Sequence, residues 1–568
     1  MHLVDWLIVA AYLAWIIYDG LKRTKGTEAI EGYFLAHRSL PWWAVGLSVM
    51  ATQLSAITLV GTTGQGYGDG MRFVQFYFGL PIAMIILSVT LVPFFYRARV
   101  YTAYEYLERR FDAKTRTLAS LLFLVSRGLA VGVIISAPAL ILSIVLGWSR
   151  TLTVFAISLP ATLYTMVGGV QAVTWADVKQ TGVIVVGMLA VVTALFMGLP
   201  DQVNFDQALH VAGSVGRLMT IDFKFDLNEN YTFWSGMIGG LFLMLGYFGC
   251  DQSQVQRYLT ARSVDAGRYS LLMSAFAKIP LQVLILLTGV LVFVFYIFNE
   301  PPMLFNPVHE NSVLSSGRSG DYTNLETDFH HAFKRRREAA DNLVTARLNA
   351  DPVMVTHATA LFLKSDEHLN KIRDRAASIV RDVTGDQNYS DVNYVFPTFI
   401  TTRLPMGLVG LMIAAIFAAA MSSIAAELNA LSAATVIDLY GRHVTRTATA
   451  QHYLLVSKLA TGFWGLFASV FALYAANLGS LIQVVNQVGS YFYGSLLGVF
   501  VLAIGVRRAT ARGARWGLVV GMLTVAVVEY TTNVSFLWFN VIGATVVVIV
   551  GTILSSSQLT SSRPIRFA

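Results

Sequence analysis

The chain has 568 residues, 55% of them hydrophobic and only 13% charged, with a mean hydropathy of +0.59. A soluble domain carries about 25% charged residues, so these values exclude an ordinary globular protein and describe one that lives in a bilayer. The formal net charge of +8 is what cytoplasmic loops of a membrane protein supply and argues for no nucleic-acid partner. A single cysteine, Cys250, excludes an intrachain disulfide and a cysteine-built metal site.

Apolar stretches about twenty residues long recur along the chain and predict an all-α membrane protein of about thirteen transmembrane helices. They lie near 3–21, 42–63, 73–96, 117–146, 151–168, 178–199, 233–250, 270–298, 404–436, 453–476, 480–504, 514–531 and 536–555. The first is not a secretory signal: Asp5 stands near its start, and Lys22, Arg23 and Lys25 follow it rather than precede it. With every span counted, the basic clusters at 22–38, 97–116, Lys179, 257–268, 442–446 and 507–515 fall on one side, as the positive-inside rule requires. The expected placement is a multi-pass protein of the plasma (inner) membrane, N-terminus outside and C-terminus cytoplasmic. The chain then divides into a bundle over 1–298, a soluble extracytoplasmic insertion over 299–396, and a second bundle with a short tail over 397–568.

The second span, from Trp42 to Gly70, is the most informative. It carries Ser48, Thr52, Gln53, Ser55, Thr58, Thr62, Thr63 and Gln65, then a run of glycines to Gly70. Each unpartnered polar group in lipid costs several kcal/mol, so such a span either packs tightly through small residues or is interrupted where it lines a cavity. In the fourth span Arg127 sits about ten residues in, some 15 Å deep at 1.5 Å per residue. An intramembrane arginine needs a partner, and two remain open: a salt bridge to Asp177 or Asp251, or a clamp on a solute carboxylate. Asp177, in GGVQAVTWADVKQ, is expected near a helix start, where it serves the helix dipole or a cation. GYFGCDQSQVQRY places Tyr247 in the membrane, with Asp251, Gln252 and Arg257 at its inner edge.

In the insertion, Leu325, Phe329, Phe333, Leu343 and Leu348 recur at helical spacing. After the Asp351-Pro352 break, Val355, Leu361, Leu369, Ile372 and Ile379 repeat the pattern, which predicts a helical hairpin. His330-His331 and the run Lys334–Arg337 read as a solvated face, since neighbouring histidines on a helix diverge. The ninth span is alanine-rich and holds Ser422-Ser423, Glu427, Asn429 and Ser432. Its hydroxyls suit tight helix contact or the coordination of a hard cation through oxygen. Gln483, Asn486 and Gln487 add amides to a later span.

Together the stretches AVGLSVMATQLSAITLVGTTGQGYGDG, FYRARVYTAYEYLERRFD, APALIL, YTMVGGVQAVTWADVKQ, GCDQSQVQRYLTARS and AAAMSSIAAELNALSAATVIDLY resemble the sodium/solute symporter family. The wording is similar to its iodide, multivitamin and monocarboxylate branch. The resemblance implies a LeuT-type fold: a five-plus-five inverted repeat whose first and sixth core helices are broken. It implies Na⁺ held by the carbonyls of Ala51, Leu54 and Ala419 with the hydroxyls of Ser422 and Ser423, and a second Na⁺ at Asp177. It further implies a solute cavity lined by Ser55, Thr58, Gln75, Phe78, Arg127, Tyr247 and Gln483. Arg127 resembles the carboxylate-binding arginine of sialic acid symporters in the family, whereas Asp251 stands where the branch usually has Asn.

The function expected is Na⁺-coupled import of a small organic solute bearing a carboxylate, with a neutral solute such as a sugar as the alternative. From other classes, a channel or a transporter-like sensor competes. No nucleophile–base or metal-ligand constellation suggests an enzyme, and no obligate protein partner is evident beyond the lipid bilayer.

Overall fold

The computed structural model describes residues 1–23, 27–387, 389–445, 447–475 and 481–556, with the side chains of Val145 and of 481–488 left out. The regular structure of the described residues is helical, apart from a single bridge between Leu40 and Ala261. Helices α1 (Leu3–Lys22), α2 (Trp42–Gln53), α3 (Ala56–Asp69), α4 (Leu80–Val89), α5 (Leu91–Ala98), α6 (Ala113–Leu146) and α7 (Arg150–Met197) form the first part. Next come α8 (Gly240–Cys250), α9 (Gln252–Leu259), α10 (Val264–Phe298), α11 (Ser319–Leu348) and α12 (Pro352–Thr384). The last part is α13 (Leu408–Ala433), α14 (Ala450–Tyr474), α15 (Leu481–Gly505), α16 (Ala511–Thr531) and α17 (Phe536–Ser556). Among the described residues, nine helical stretches are long and apolar enough to cross a membrane; two shorter apolar ones cover Ser235–Cys250 and Gly489–Gly505.

Burial sorts these helices into a centre and a rim. The apolar windows of α13 and α10 are 89% and 83% buried, whereas those of α1 and α14 are 28% buried and leave their apolar sides outward. The small residues of α13 allow the close approach: Ala414, Ala415, Ala418, Ala419 and Ala420 are all buried. Close backbone approach also joins α3 to α10. A Cβ on Gly66 would stand 2.3 Å from the Leu286 carbonyl oxygen, and one on Gly289 would stand 2.0 Å from that of Thr63.

Three interruptions shape the core. Between α2 and α3 the chain leaves helical geometry at Leu54 (φ −92°, ψ 74°), and Ser55 caps α3 by accepting from Thr58 N at 3.3 Å. Between α8 and α9 Asp251 is extended (φ −83°, ψ 125°) and caps α9, its Oδ1 accepting from Ser253 N at 2.9 Å and Ser253 Oγ at 2.7 Å. Within α7 Gly169 adopts φ 56°, ψ −153°, where a Cβ would meet the Tyr33 carbonyl oxygen at 2.4 Å.

That third interruption corrects the reading of 169–177 as a lead-in loop. The helix resumes directly after Gly169, so Asp177 lies about 10 Å inside it at 1.5 Å per residue and is no N-terminal dipole partner. Likewise α6 starts at Ala113, four residues before the expected 117, and carries Arg127 about 21 Å along its length.

Residues 319–384 form the hairpin the spacing suggested. Asp351 caps α12, accepting from Val353 N at 3.0 Å and Met354 N at 3.2 Å, with Pro352 at the first helical position. Phe329, Phe333, Leu343, Leu369, Ile372 and Ile379 are buried as expected, whereas Leu348 (54%) and Leu361 (45%) are exposed. Of the basic run, Arg336 is buried against Asp366 Oδ1 at 3.2 Å and the Tyr296 carbonyl at 2.6 Å, so that face is not wholly solvated. The hairpin docks on α3 through Arg373, which donates to Tyr67 Oη at 3.1 Å and Asp391 at 3.1 Å.

Candidate functional site

The break between α2 and α3 opens onto a cavity of about 690 Å³, counted out to its open mouth. Thr52, Gln53, Ser55, Ile57 and Thr58 line one wall; Arg127, Ile134, Leu243, Tyr247 and Tyr493 line another; Ser423 and Glu427 of α13 close a third. The mix of aromatic and polar groups suits a small solute. Of the expected solute residues, Ser55, Thr58, Arg127 and Tyr247 therefore come together. Gln75 does not line it. Its amide donates to the Tyr231 carbonyl at 2.9 Å and accepts from Asp222 N at 2.8 Å, tying a loop outside the cavity. Phe78 lies off the cavity too, its ring centroid 6.1 Å from that of Phe233. The side chain of Gln483, with those of Asn486 and Gln487, lies outside the described residues.

Arg127 is 5% exposed and engaged on every side. Its Nε donates to Asp251 Oδ2 at 2.6 Å, Nη1 pairs with Glu427 Oε1 at 3.2 Å, and Nη2 donates to Tyr493 Oη. The rings of Tyr247 and Tyr493 lie 5.1 Å from its guanidinium carbon. Of the two carboxylates expected as structural partners, Asp251 pairs with Arg127 and Asp177 is engaged elsewhere. The sequence reading missed Tyr493 and gave Glu427 no role; an arginine in an apolar span demands counter-charge, and the lone glutamate of the ninth span was the available signal.

Asp177 bridges two helices. Its Oδ2 accepts from Ser48 Oγ of α2 at 2.5 Å and its Oδ1 from Ser422 Oγ of α13 at 2.6 Å. Beside it Ser423 donates to the carbonyls of Thr52 and Ala419, each at 3.3 Å. The Ala51 carbonyl accepts from Leu54 N at 2.9 Å in the last turn before the break. A hydroxyl of α13 and a carbonyl of α2 thus meet at one junction beside a carboxylate, oxygens of the kind a hard cation takes. Ser422, expected in the first cation site, donates to Asp177, expected in the second. Among the described residues, no group of three His, Cys, Asp or Glu side chains could hold a metal ion.

The model of the sodium:solute symporter family matches residues 33–314 and 353–521. The chain belongs to the sodium:solute symporter family. It is 26% identical over 565 residues to the sodium/sialic acid symporter SiaT of Proteus mirabilis, covering 97% of this chain and 94% of that one. It is 27% identical over 526 residues to the sodium-dependent multivitamin transporter of Oryctolagus cuniculus, covering 92% and 69%. A solved Na⁺-coupled sialic acid symporter, substrate-bound and outward-open, superimposes with a TM-score of 0.76 at 24% identity, over 98% of each chain, and shows the fold. The chain is a multi-pass membrane protein that couples import of a small solute to Na⁺. These relatives are transporters rather than enzymes.

Proposed function

We propose that this symporter imports a small organic carboxylate by alternating access, with Arg127 as the group that receives the carboxylate. The observation that carries the reading is a buried guanidinium that lines the solute cavity while paired with two protein carboxylates, Asp251 and Glu427. A solute carboxylate exchanging with one of them keeps the charge compensated throughout, at far lower cost than exposing a bare arginine in the membrane. Ser55, Thr58 and Tyr247 then contact the rest of the solute. The kinship with sialic acid, multivitamin and monocarboxylate transporters supports an acidic solute.

Na⁺ is assigned to the junction of α2 and α13, held by the carbonyls of Ala51, Leu54 and Ala419 and the hydroxyls of Ser422 and Ser423. Asp177 is the ligand for a second Na⁺ beside it. A tenfold Na⁺ gradient is worth about 1.4 kcal/mol. A potential of 100 mV adds about 2.3 per net charge. One Na⁺ with a monoanion is electroneutral and sustains about tenfold accumulation, whereas two supply about 5 kcal/mol, several thousandfold. The breaks at Leu54 and Asp251 support an inverted-repeat LeuT-type core within a thirteen-helix bundle, N-terminus outside and C-terminus cytoplasmic in the inner membrane. Residues 299–396 are then an extracytoplasmic domain between bundles at 1–298 and 397–568.

Two measurements test this. Uptake of labelled acids into proteoliposomes is expected to vanish when K⁺ replaces Na⁺. Binding to Arg127→Ala is expected to fall about 100-fold for an acid and far less for its amide; equal losses for both, or none, exclude the carboxylate role.

A further inference from the structure

Five ionisable side chains share the membrane interior around α2, α6, α9 and α13: Asp177, Asp251, Glu427, Arg127 and Arg257. Their formal charges sum to −1, and Lys278 of α10, buried 5.6 Å from the ring centroid of cavity-lining Tyr77, stands outside the group. One carboxylate oxygen among the five is left without a partner. Asp251 has both oxygens occupied, by Arg127 and by Ser253, and Asp177 has both occupied by serine hydroxyls. Glu427 spends Oε1 on Arg127, but its Oε2 is buried with no hydrogen-bond partner. The nearby Ser253 hydroxyl donates its single proton to Asp251 Oδ1 at 2.7 Å. Arg257, which also faces Glu427, leaves its own Nε and Nη1 without an acceptor and so makes no direct contact there.

Glu427 is 2% exposed and lines the cavity. Ser423, four residues earlier and so on the same face of α13, gives its proton to carbonyls and lines the cavity as well. Gln53 and Thr52 at the break line the same space. The wall around Glu427 is therefore rich in acceptors and suits a cation, next to the Arg127 guanidinium that suits an anion. Bringing a carboxylate to Arg127 adds a further negative charge, and a cation at Glu427 offsets it.

We propose that Glu427 Oε2 is a cation position of the solute cavity, separate from the serine-pair junction. It takes a monovalent cationic centre, either Na⁺ or the ammonium of the solute. The proposal rests on the reading of this cavity as the solute path and is independent of the assignment at Ser422.

Equilibrium ²²Na⁺ binding to the purified full chain, with methylammonium as competitor, tests it on wild type, Glu427→Gln, Glu427→Asp and Ser422→Ala. If the occupant is Na⁺, Glu427→Gln binds one Na⁺ fewer while Glu427→Asp keeps the count with about tenfold weaker affinity. If the occupant is an ammonium group, the Na⁺ count stays the same, and methylammonium raises the melting temperature of wild type and Glu427→Asp but not of Glu427→Gln. Loss at Ser422→Ala with neither change at Glu427 overturns this proposal and leaves the serine assignment standing; the converse result does the opposite. Should Glu427→Gln fail to fold, carbodiimide labelling of wild type followed by mass spectrometry decides. Glu427 is expected to be labelled in choline chloride and protected by NaCl or methylammonium; labelling without protection, or none, overturns the proposal.

Discussion

Two arginines on α6, Arg116 and Arg127, are both buried in ion-pair clusters, and they differ in what is left over. Arg116 donates Nε to Asp438 Oδ1 at 2.8 Å, Nη1 to Glu108 at 2.8 Å and Nη2 to the Ile437 carbonyl at 2.9 Å. Its partners are occupied in turn: Asp438 also accepts from Thr102 at 2.7 Å and Ser120 at 3.3 Å, and Glu108 holds Arg442. That cluster is closed and joins the start of α6 to the helical segment Ala434–Val444 that follows α13. Around Arg127 each guanidinium nitrogen has a partner, yet one oxygen of cavity-lining Glu427 has none. A satisfied buried network fixes a structure; one with a remainder has an interaction still to make.

Mutating the closed cluster should produce the larger loss of stability. Arg116→Ala leaves Asp438 buried without its counter-charge and is expected to cost about 3–5 kcal/mol, read as a large fall in melting temperature that Na⁺ does not restore. If Arg116→Ala melts like wild type, the distinction between the clusters fails. Ser422→Ala removes one oxygen from the junction and is expected to raise the half-saturating Na⁺ concentration of uptake about tenfold; it also takes a donor from buried Asp177, so the melting temperature falls, by less than in Arg116→Ala. Gln75→Ala gives the smallest effect. It cuts the ties to Tyr231 and Asp222, is expected to cost about 1–2 kcal/mol, and leaves apparent solute affinity unchanged, since the side chain lies off the cavity. A rise in the half-saturating solute concentration would return Gln75 to the solute site.

The interruption at Leu54 was legible because Ser48, Thr52, Ser55 and Thr58 are too polar for a span that merely faces lipid. The serine pair and Arg127 were legible for the same reason. What stayed hidden depended on contacts distant in sequence. The Gly168-Gly169 pair looks like a loop, yet the helix breaks at Gly169 alone, where the Tyr33 carbonyl approaches too closely for a side chain, and resumes on to Asp177. Gln75 has the composition of a solute contact, but a loop more than 140 residues later claims its amide. Tyr493 sits among other aromatic residues in YFY, and nothing local distinguishes it.

The docking of Arg373 on Tyr67 turns the hairpin into a mechanical pointer. Arg373 lies 21 residues along α12 from Pro352, an arm of about 30 Å at 1.5 Å per residue. Arg347 near the tip pairs with Asp206 at 2.9 Å, so a tilt of α3 by about 5° that carries the hairpin sweeps the tip about 3 Å over that arm only as this ion pair opens. Val353, 78% exposed at the tip, is therefore a natural place for a fluorophore or spin label. Motion too small to resolve at the break itself could be followed there in real time, on a surface that touches neither ion nor solute.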